Sequence, residues 1–428
     1  MRTEILNTGS ELMLGRVLNT HQQWLCRKLT DLGYLVARQV AVPDTSADIV
    51  QAVREALARS DLIIVTGGLG PTSDDLTRDL IANLLGKTLV EDPDVLSDIQ
   101  GFFTSRKRRM PARVRVQAMV PQGATVFRNP NGTAPGLAIK VFPNPFRSDA
   151  SSWLILLPGP PRELRPMFTD SAAPLIKQEF PSVEPFVCRT VRTSGLGESL
   201  VEERVAEPLA TLVSRGLQIG YCARPGEVDV RLSASGSAAE ALVKQAEGIV
   251  KEKVERFVYG DEGEELETVL VRSLTESEQT LAIAESCTGG LISHRITNVP
   301  GASRVLLAGF VTYSNAAKEQ CLGVRAETLA EHGAVSAAVA QEMAEGGRQR
   351  TGATYAIAVT GIAGPSGGTD SKPVGTVFIA IAGPFETIVE RHCNQFDRET
   401  FKNVTAQQAL NLLRSSVAKT AVASAAMQ

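Results

Sequence analysis

Three times in this chain a short apolar run ends abruptly in a glycine-rich turn. Asp61–Thr66 leads into Gly67-Gly68-Leu69-Gly70-Pro71, Thr280–Ala284 into Glu285-Ser286-Cys287-Thr288-Gly289-Gly290, and Tyr355–Val359 into Thr360-Gly361-Ile362-Ala363-Gly364-Pro365. Runs this short suit strands covered on both faces better than buried helices. A strand, a glycine turn and then helical periodicity form one unit of a parallel α/β sheet, and ligands bind such sheets at the carboxyl edge of the strands. The pattern therefore predicts α/β domains with sites built on turns.

At ~100–200 residues per domain, 428 residues predict about three domains. Residues 1–170 alternate strand and helix signals, with strands at Thr3–Asn7, Tyr34–Val42, Asp61–Thr66 and Trp153–Leu157 and a polar loop over Pro143–Ser152. Residues 171–262 read as a small α+β connector, with strands near Phe186–Thr193, Val228–Ala234 and Phe257–Tyr259. Residues 263–428 read as a second α/β unit, ending in an Ala-rich helix that frays over Ser415–Gln428. The acid- and Gly-rich stretch Tyr259–Glu265 has the composition of an exposed boundary.

Composition narrows the function. Lys plus Arg is 44 and Asp plus Glu 47, a net charge of −3, and aromatics are 5%. Both weigh against nucleic acid as the direct partner. The one basic run, Arg106-Lys107-Arg108-Arg109 with Arg113 and Arg115 nearby, reads as a solvated helix end. The apolar segments are too short to span a membrane, and polar residues interrupt the start, MRTEILNTGSE, so it does not read as a signal peptide. The six cysteines form no CxxC pair, so neither a zinc site nor a disulfide framework is indicated. A cytoplasmic setting fits this usage.

In the first glycine turn, backbone N–H groups and a helix N-terminus can meet phosphate oxygens, through Gly67, Gly68 and Gly70. Asp75 and Asp79, four apart, would share a helix face and with Asp74 could hold a hard divalent cation. The plainer alternative is a helix capped by Thr72 or Ser73 with acidic residues answering its dipole. Glu11, Asn131 and Gly159 lie in further polar turns expected at the same edge. In the second turn, Ser286 sits beside N–H groups at Thr288, Gly289 and Gly290 that suit an oxyanion. Lys318, beyond Tyr313, is a candidate base, against the ordinary fate of a solvated surface lysine. Cys287 is the rival nucleophile, against a buried structural thiol. The third turn, with Thr360, Gly361 and Gly364, could cradle a phosphate or be a plain loop.

These segments also carry a resemblance. TGSELMLGRVLNT, TGGLGPTSDDLTRD, LPGPPRELRPMF, AESCTGGLIS, VTYSNAAKE, AVTGIAGPSGG and PVGTV, in this order from residue 8 to about 380, resemble the motifs of the CinA family of competence/damage-inducible proteins. The resemblance implies an N-terminal MoaB/MogA-like, molybdopterin-binding-type domain with metal-dependent ADP-ribose pyrophosphatase activity and a KH-like middle domain. It also implies a C-terminal amidase converting nicotinamide mononucleotide to nicotinate mononucleotide and ammonia, with no cofactor. It assigns Ser286 as nucleophile, with Tyr313, Lys318, Thr360 and Arg398 beside it. The segment before Arg398 lacks the family's glycine, and Lys402 stands where a second arginine is common. A homodimer is expected. Two rival readings remain: a recruiting protein in DNA uptake or repair without catalysis, and a molybdopterin-binding protein.

Overall fold

The computed structural model describes residues 1–148, 150–181, 184–261 and 263–426, with side chains through residue 419. Parts of three expected features therefore lie outside the described residues: Asp149 of the polar loop, Glu262 of the acid-rich stretch, and the last two residues of the terminal helix. Among the described residues no helix is long and apolar enough to cross a membrane. The chain forms two compact units, one of Met1–Phe186 with Ser235–Ser237, the other running from Val187 to Ala234 and on from Ala238.

The first unit runs past residue 170 because Pro161–Met167, Phe168–Ala172 and Ala173–Glu179 form one helical stretch. Its Leu164, Phe168 and Ile176 are buried in the N-terminal core. The sheet has six strands in the order 36–42, 3–8, 62–66, 152–157, 136–141, 125–127. Pairing is parallel up to 152–157 and antiparallel beyond. Successive residues of one strand enter opposite cores: Ile63 and Val65 one, Leu62 and Ile64 the other. Both faces are covered, which is why the run is apolar throughout rather than alternating. Asn7 pairs with Thr66 and Thr66 with Leu157, so the turns after these strands leave at one edge.

The middle segment has a four-stranded sheet, 218–224, 227–235, 186–194, 258–261, under helices Glu198–Ser214 and Ala239–Lys253. The acid-rich stretch exposes Asp261, Gly263 and Glu265 between two anchored ends. Tyr259 is buried and its hydroxyl donates to Glu227 at 2.5 Å, while Leu266 is fully buried.

The C-terminal sheet runs 306–311, 281–285, 355–361, 376–382, 387–393. The first three strands are parallel and the last two antiparallel. One face carries Leu281, Ile283, Ile357 and Val359; the other is nearly all alanine, Ala282, Ala284, Ala356 and Ala358. The small face admits helix Ala337–Thr351 closely, with the Cβ position of Gly347 only 3.9 Å from the Ala284 and Ala356 methyls. Glu285 pairs with both Val311 and Val359. Ser286, Thr312–Tyr313 and Thr360 therefore emerge side by side at one edge. The chain closes with the helix Arg398–Ala426.

Candidate functional site

At the C-terminal edge, the strand Leu281–Glu285 is followed by a turn in which Gly289 and Gly290 take φ of 63° and 93°. Helix Leu291–Thr297 then starts. The fully buried Glu285 holds this turn. Its carboxylate accepts from the N–H groups of Gly290 (3.0 Å), Ile292 (3.1 Å) and Ser293 (2.9 Å) and from the Ser293 hydroxyl (2.8 Å). Glu285 is a cap drawn from the preceding strand, a role the sequence reading missed.

Across the turn, Lys318 is 1% exposed. Its Nζ lies 3.1 Å from Ser286 Oγ and donates to the Thr312 carbonyl at 2.8 Å. It sits on helix Asn315–Leu322, which Ser314 caps through the Ala317 N–H. Burial lowers the lysine from its ordinary value, opposed by the neighbouring Cys287. The solvated-lysine alternative is thereby corrected. Cys287 is buried and desolvation pushes its thiol up to about 12, the state of a structural cysteine.

The oxyanion assignment needs correction. Gly290 N–H is spent on Glu285 and Gly289 N–H on the Ser286 carbonyl (3.1 Å). The Cys287 and Thr288 N–H groups lie within reach of the Cys287 sulfur, a weak acceptor. Tyr313 is 61% exposed and its hydroxyl accepts from Arg398 (2.8 Å), not from the Ser286–Lys318 pair. A relay through Tyr313 is therefore not what the contacts support. Arg398 also donates to the Gly364 carbonyl at 2.9 Å, so it ties two loops at the mouth. One helical turn on, Lys402 Nζ lies 3.7 Å from the Cβ position of Gly289. The Thr360 hydroxyl is committed to the Ala334 carbonyl at 2.7 Å. Gly361 has no room for a side chain, since a Cβ would meet Thr376 O at 2.8 Å.

At the N-terminal edge the turns enclose a cavity of about 380 Å³, within the range of small-ligand pockets. Glu11, Gly67, Gly68, Gly70, Asp74, Asp75 and Gly159 line it, as do Glu163, from the same turn as Gly159, and Asp44, which the sequence reading left out. Asn131 and Asp79 do not. The three expected aspartates do not form a metal shell. Helix Thr77–Leu84 starts two residues after Asp75, so Asp75 and Asp79 share no helix face. Asp79 pairs with Arg78 at 2.6 Å, and Asp75 accepts from the Thr72 N–H at 2.9 Å. Among the described residues no three His, Cys, Asp or Glu side chains are grouped for an ion. The Thr72/Ser73 cap is not formed either, as no side chain caps this helix. Gly68 is fixed by space: at φ 66°, its Cβ position is 2.0 Å from Thr77 Oγ1. Gly68→Ala is expected to destabilise the N-terminal unit by about 2 kcal/mol or more, read as a lowered unfolding midpoint.

Known proteins share this organisation. Residues 4–178 match the model described as "Probable molybdopterin binding domain", residues 188–260 "Damage-inducible protein CinA KH domain", and residues 263–417 "CinA C-terminal domain". A CinA-like protein of Akkermansia muciniphila is 43% identical, over 96% of this chain and 96% of its own. A CinA-like protein of Gemmatimonas aurantiaca is 40% identical, over 98% and 97%. The solved competence/damage inducible protein CihA of Agrobacterium tumefaciens is 40% identical, covering 35% of this chain and 92% of its own, with a TM-score of 0.35. With full-length relatives at this identity and all three domain types in order, the chain belongs to the CinA family.

Proposed function

We propose that the C-terminal domain is a serine amidohydrolase acting on the carboxamide of nicotinamide mononucleotide. The observation that carries the reading is the buried Lys318 Nζ 3.1 Å from Ser286 Oγ. A serine hydroxyl is a weak nucleophile until a base takes its proton. As a neutral amine, Lys318 gives one N–H to the Thr312 carbonyl, which turns its lone pair toward the serine hydroxyl.

Ser286 Oγ attacks the amide carbon while its proton passes to Lys318. The oxyanion is met by the Cys287 and Thr288 N–H groups. The lysine ammonium then protonates the leaving nitrogen, ammonia departs, and an acyl ester remains on Ser286. Water, deprotonated by Lys318, attacks the ester and releases the acid with regeneration of the serine. Arg398 and Lys402, one turn apart beside this turn, support a substrate bearing a phosphate.

The test is ammonia release from nicotinamide mononucleotide by the full chain. Cys287→Ala and thiol alkylation are expected to leave turnover within about threefold of wild type, since a thiol held mostly protonated is neither nucleophile nor ligand. Abolition of activity in Cys287→Ala with retention in Ser286→Ala would move the reaction to the thiol.

For the N-terminal cavity the supporting observation is narrower: glycine turns at a strand edge, the setting for a phosphorylated ligand. ADP-ribose is the ligand we propose there. With no assembled metal shell, we route no step through an ion. Hydrolysis of ADP-ribose by the full chain, with Gly68→Ala as the impaired control, is the check.

A further inference from the structure

The residues beside the nucleophile turn all belong to the C-terminal segment, yet the long helix that supplies two of them is gripped from the middle segment. Helix Arg398–Ala426 begins at the site. Its first turns carry Arg398, bonded to Tyr313 and Gly364, and Lys402, beside Gly289. Five residues beyond Lys402 is Gln407, an amide side chain 2% exposed. Its Nε2 donates to Glu227 at 2.8 Å and to Ser194 at 3.3 Å, both in the middle segment. Its Oε1 accepts from Arg295 at 2.8 Å. Arg295 stands on helix Leu291–Thr297, the helix that opens from the nucleophile turn, and is anchored by Glu267 at 2.6 Å.

One buried amide therefore ties three bodies: the middle sheet, the nucleophile helix and the helix bearing the basic pair. The grip continues along the same helix. The Cβ position of Gly226 is 3.1 Å from Gln407 Cγ, so the middle hairpin turn fits directly onto this side chain, and that of Gly195 lies 3.3 Å from Asn411 Nδ2. Arg414 donates to the carbonyls of Val258 (3.1 Å) and Arg256 (2.9 Å). A buried polar group with every partner in place fixes a geometry, and losing one partner leaves the others unsatisfied. The G-x-x-G signature with which KH domains clamp nucleic-acid backbones does not occur in residues 188–260.

We propose that Gln407 is a positioning residue through which the middle domain sets the substrate end of helix Arg398–Ala426 against the nucleophile turn, so that the middle domain serves the amidase site of its own chain. The proposal rests on the amide-hydrolysis reading above. Gln407 does not touch the reacting atoms. It acts by holding Arg398 and Lys402 where a phosphate would meet them, so its loss is felt in binding of the phosphorylated end and not in the chemistry at Ser286.

The test uses the full chain with Gln407→Leu, which keeps bulk and removes both polar arms. Steady-state kinetics are measured on nicotinamide mononucleotide and on its unphosphorylated riboside. The expected result is a KM for the mononucleotide raised about tenfold, kcat within about threefold, and kcat/KM for the riboside unchanged, because a misplaced anchor costs only the group it holds. Gln407→Asn, one methylene shorter and fully polar, is the second variant should the leucine protein not fold, and the same split is expected. Equal losses of kcat on both substrates with KM unchanged, the sign of a merely destabilised fold, would overturn the positioning role. So would unaltered kinetics in a folded Gln407 variant. A wild-type chain that releases no ammonia would instead overturn the amidase reading itself.

Discussion

Lys318→Met is expected to lower turnover of nicotinamide mononucleotide by about a thousandfold while making the C-terminal unit more stable at neutral pH. The loss follows from removal of the base in contact with Ser286, within the range of general-base effects. For wild type, kcat/KM should rise with pH as the lowered lysine loses its proton and then level off. That limb should vanish in the variant.

The stability effect has the opposite sign, and linkage sets its window. The folded state lowers the lysine and the unfolded chain restores it to about 10.4, so the unfolded state binds more protons between those values. Below the folded value the fold carries the full cost of a buried ammonium. The cost shrinks as pH rises through that window. Lys318→Met removes it, for a gain of about 1 kcal/mol at neutral pH, or ~3 °C in unfolding midpoint. The advantage should close toward pH 10. A midpoint lowered at neutral pH would contradict a desolvated lysine.

Ser286→Ala is expected to cost about 10⁴-fold or more in turnover, because covalent catalysis is lost outright and the remaining groups offer only binding and oxyanion donors. Binding should persist, with a dissociation constant by calorimetry within about threefold of wild type, since the groups proposed to hold the phosphate, Arg398 and Lys402, lie on another element. The fold should persist too: among the described residues the Ser286 hydroxyl bonds Lys318 alone, while the turn is held by Glu285 and by the Ser286 N–H bond to the Val359 carbonyl at 3.0 Å. Joint loss of binding and turnover would mean that the serine serves structure rather than chemistry.

Much of the fold could be read before any coordinates because the buried parallel strands are continuous apolar runs. Leu62–Thr66, Leu281–Glu285 and Tyr355–Gly361 announce themselves in this way. Of the strands that escaped notice, Gly136–Val141 is an interior one whose run opens on a glycine and is broken by Lys140, and two others are edge strands. Thr387–Cys393 carries Glu390, Arg391 and His392, and Gln218–Arg224 is nowhere fully buried, so neither shows an apolar run. The pairing of Ser286 with Lys318 could be proposed because both follow neighbouring parallel strands, and register then delivers them to one edge. What sequence could not supply was the spending of individual hydrogen bonds. Glu285 looked like the first residue of a turn, yet it absorbs the Gly290 N–H. The aspartate trio failed on a helix start: a shared face needs both residues inside the helix, and Asp75 lies before it. Gln407 carried no signal at all, for a buried glutamine on a helix is indistinguishable by type from an exposed one.

The most direct measurement is rapid acid quenching of the full chain with nicotinamide mononucleotide, followed by peptide mass spectrometry, with ammonia release recorded in parallel for wild type, Ser286→Ala and Cys287→Ala. A serine mechanism predicts ammonia from wild type and from Cys287→Ala, none from Ser286→Ala, and an acyl adduct on the peptide bearing Ser286. Near-wild-type ammonia release by Ser286→Ala, or an adduct carried by Cys287, would contradict it.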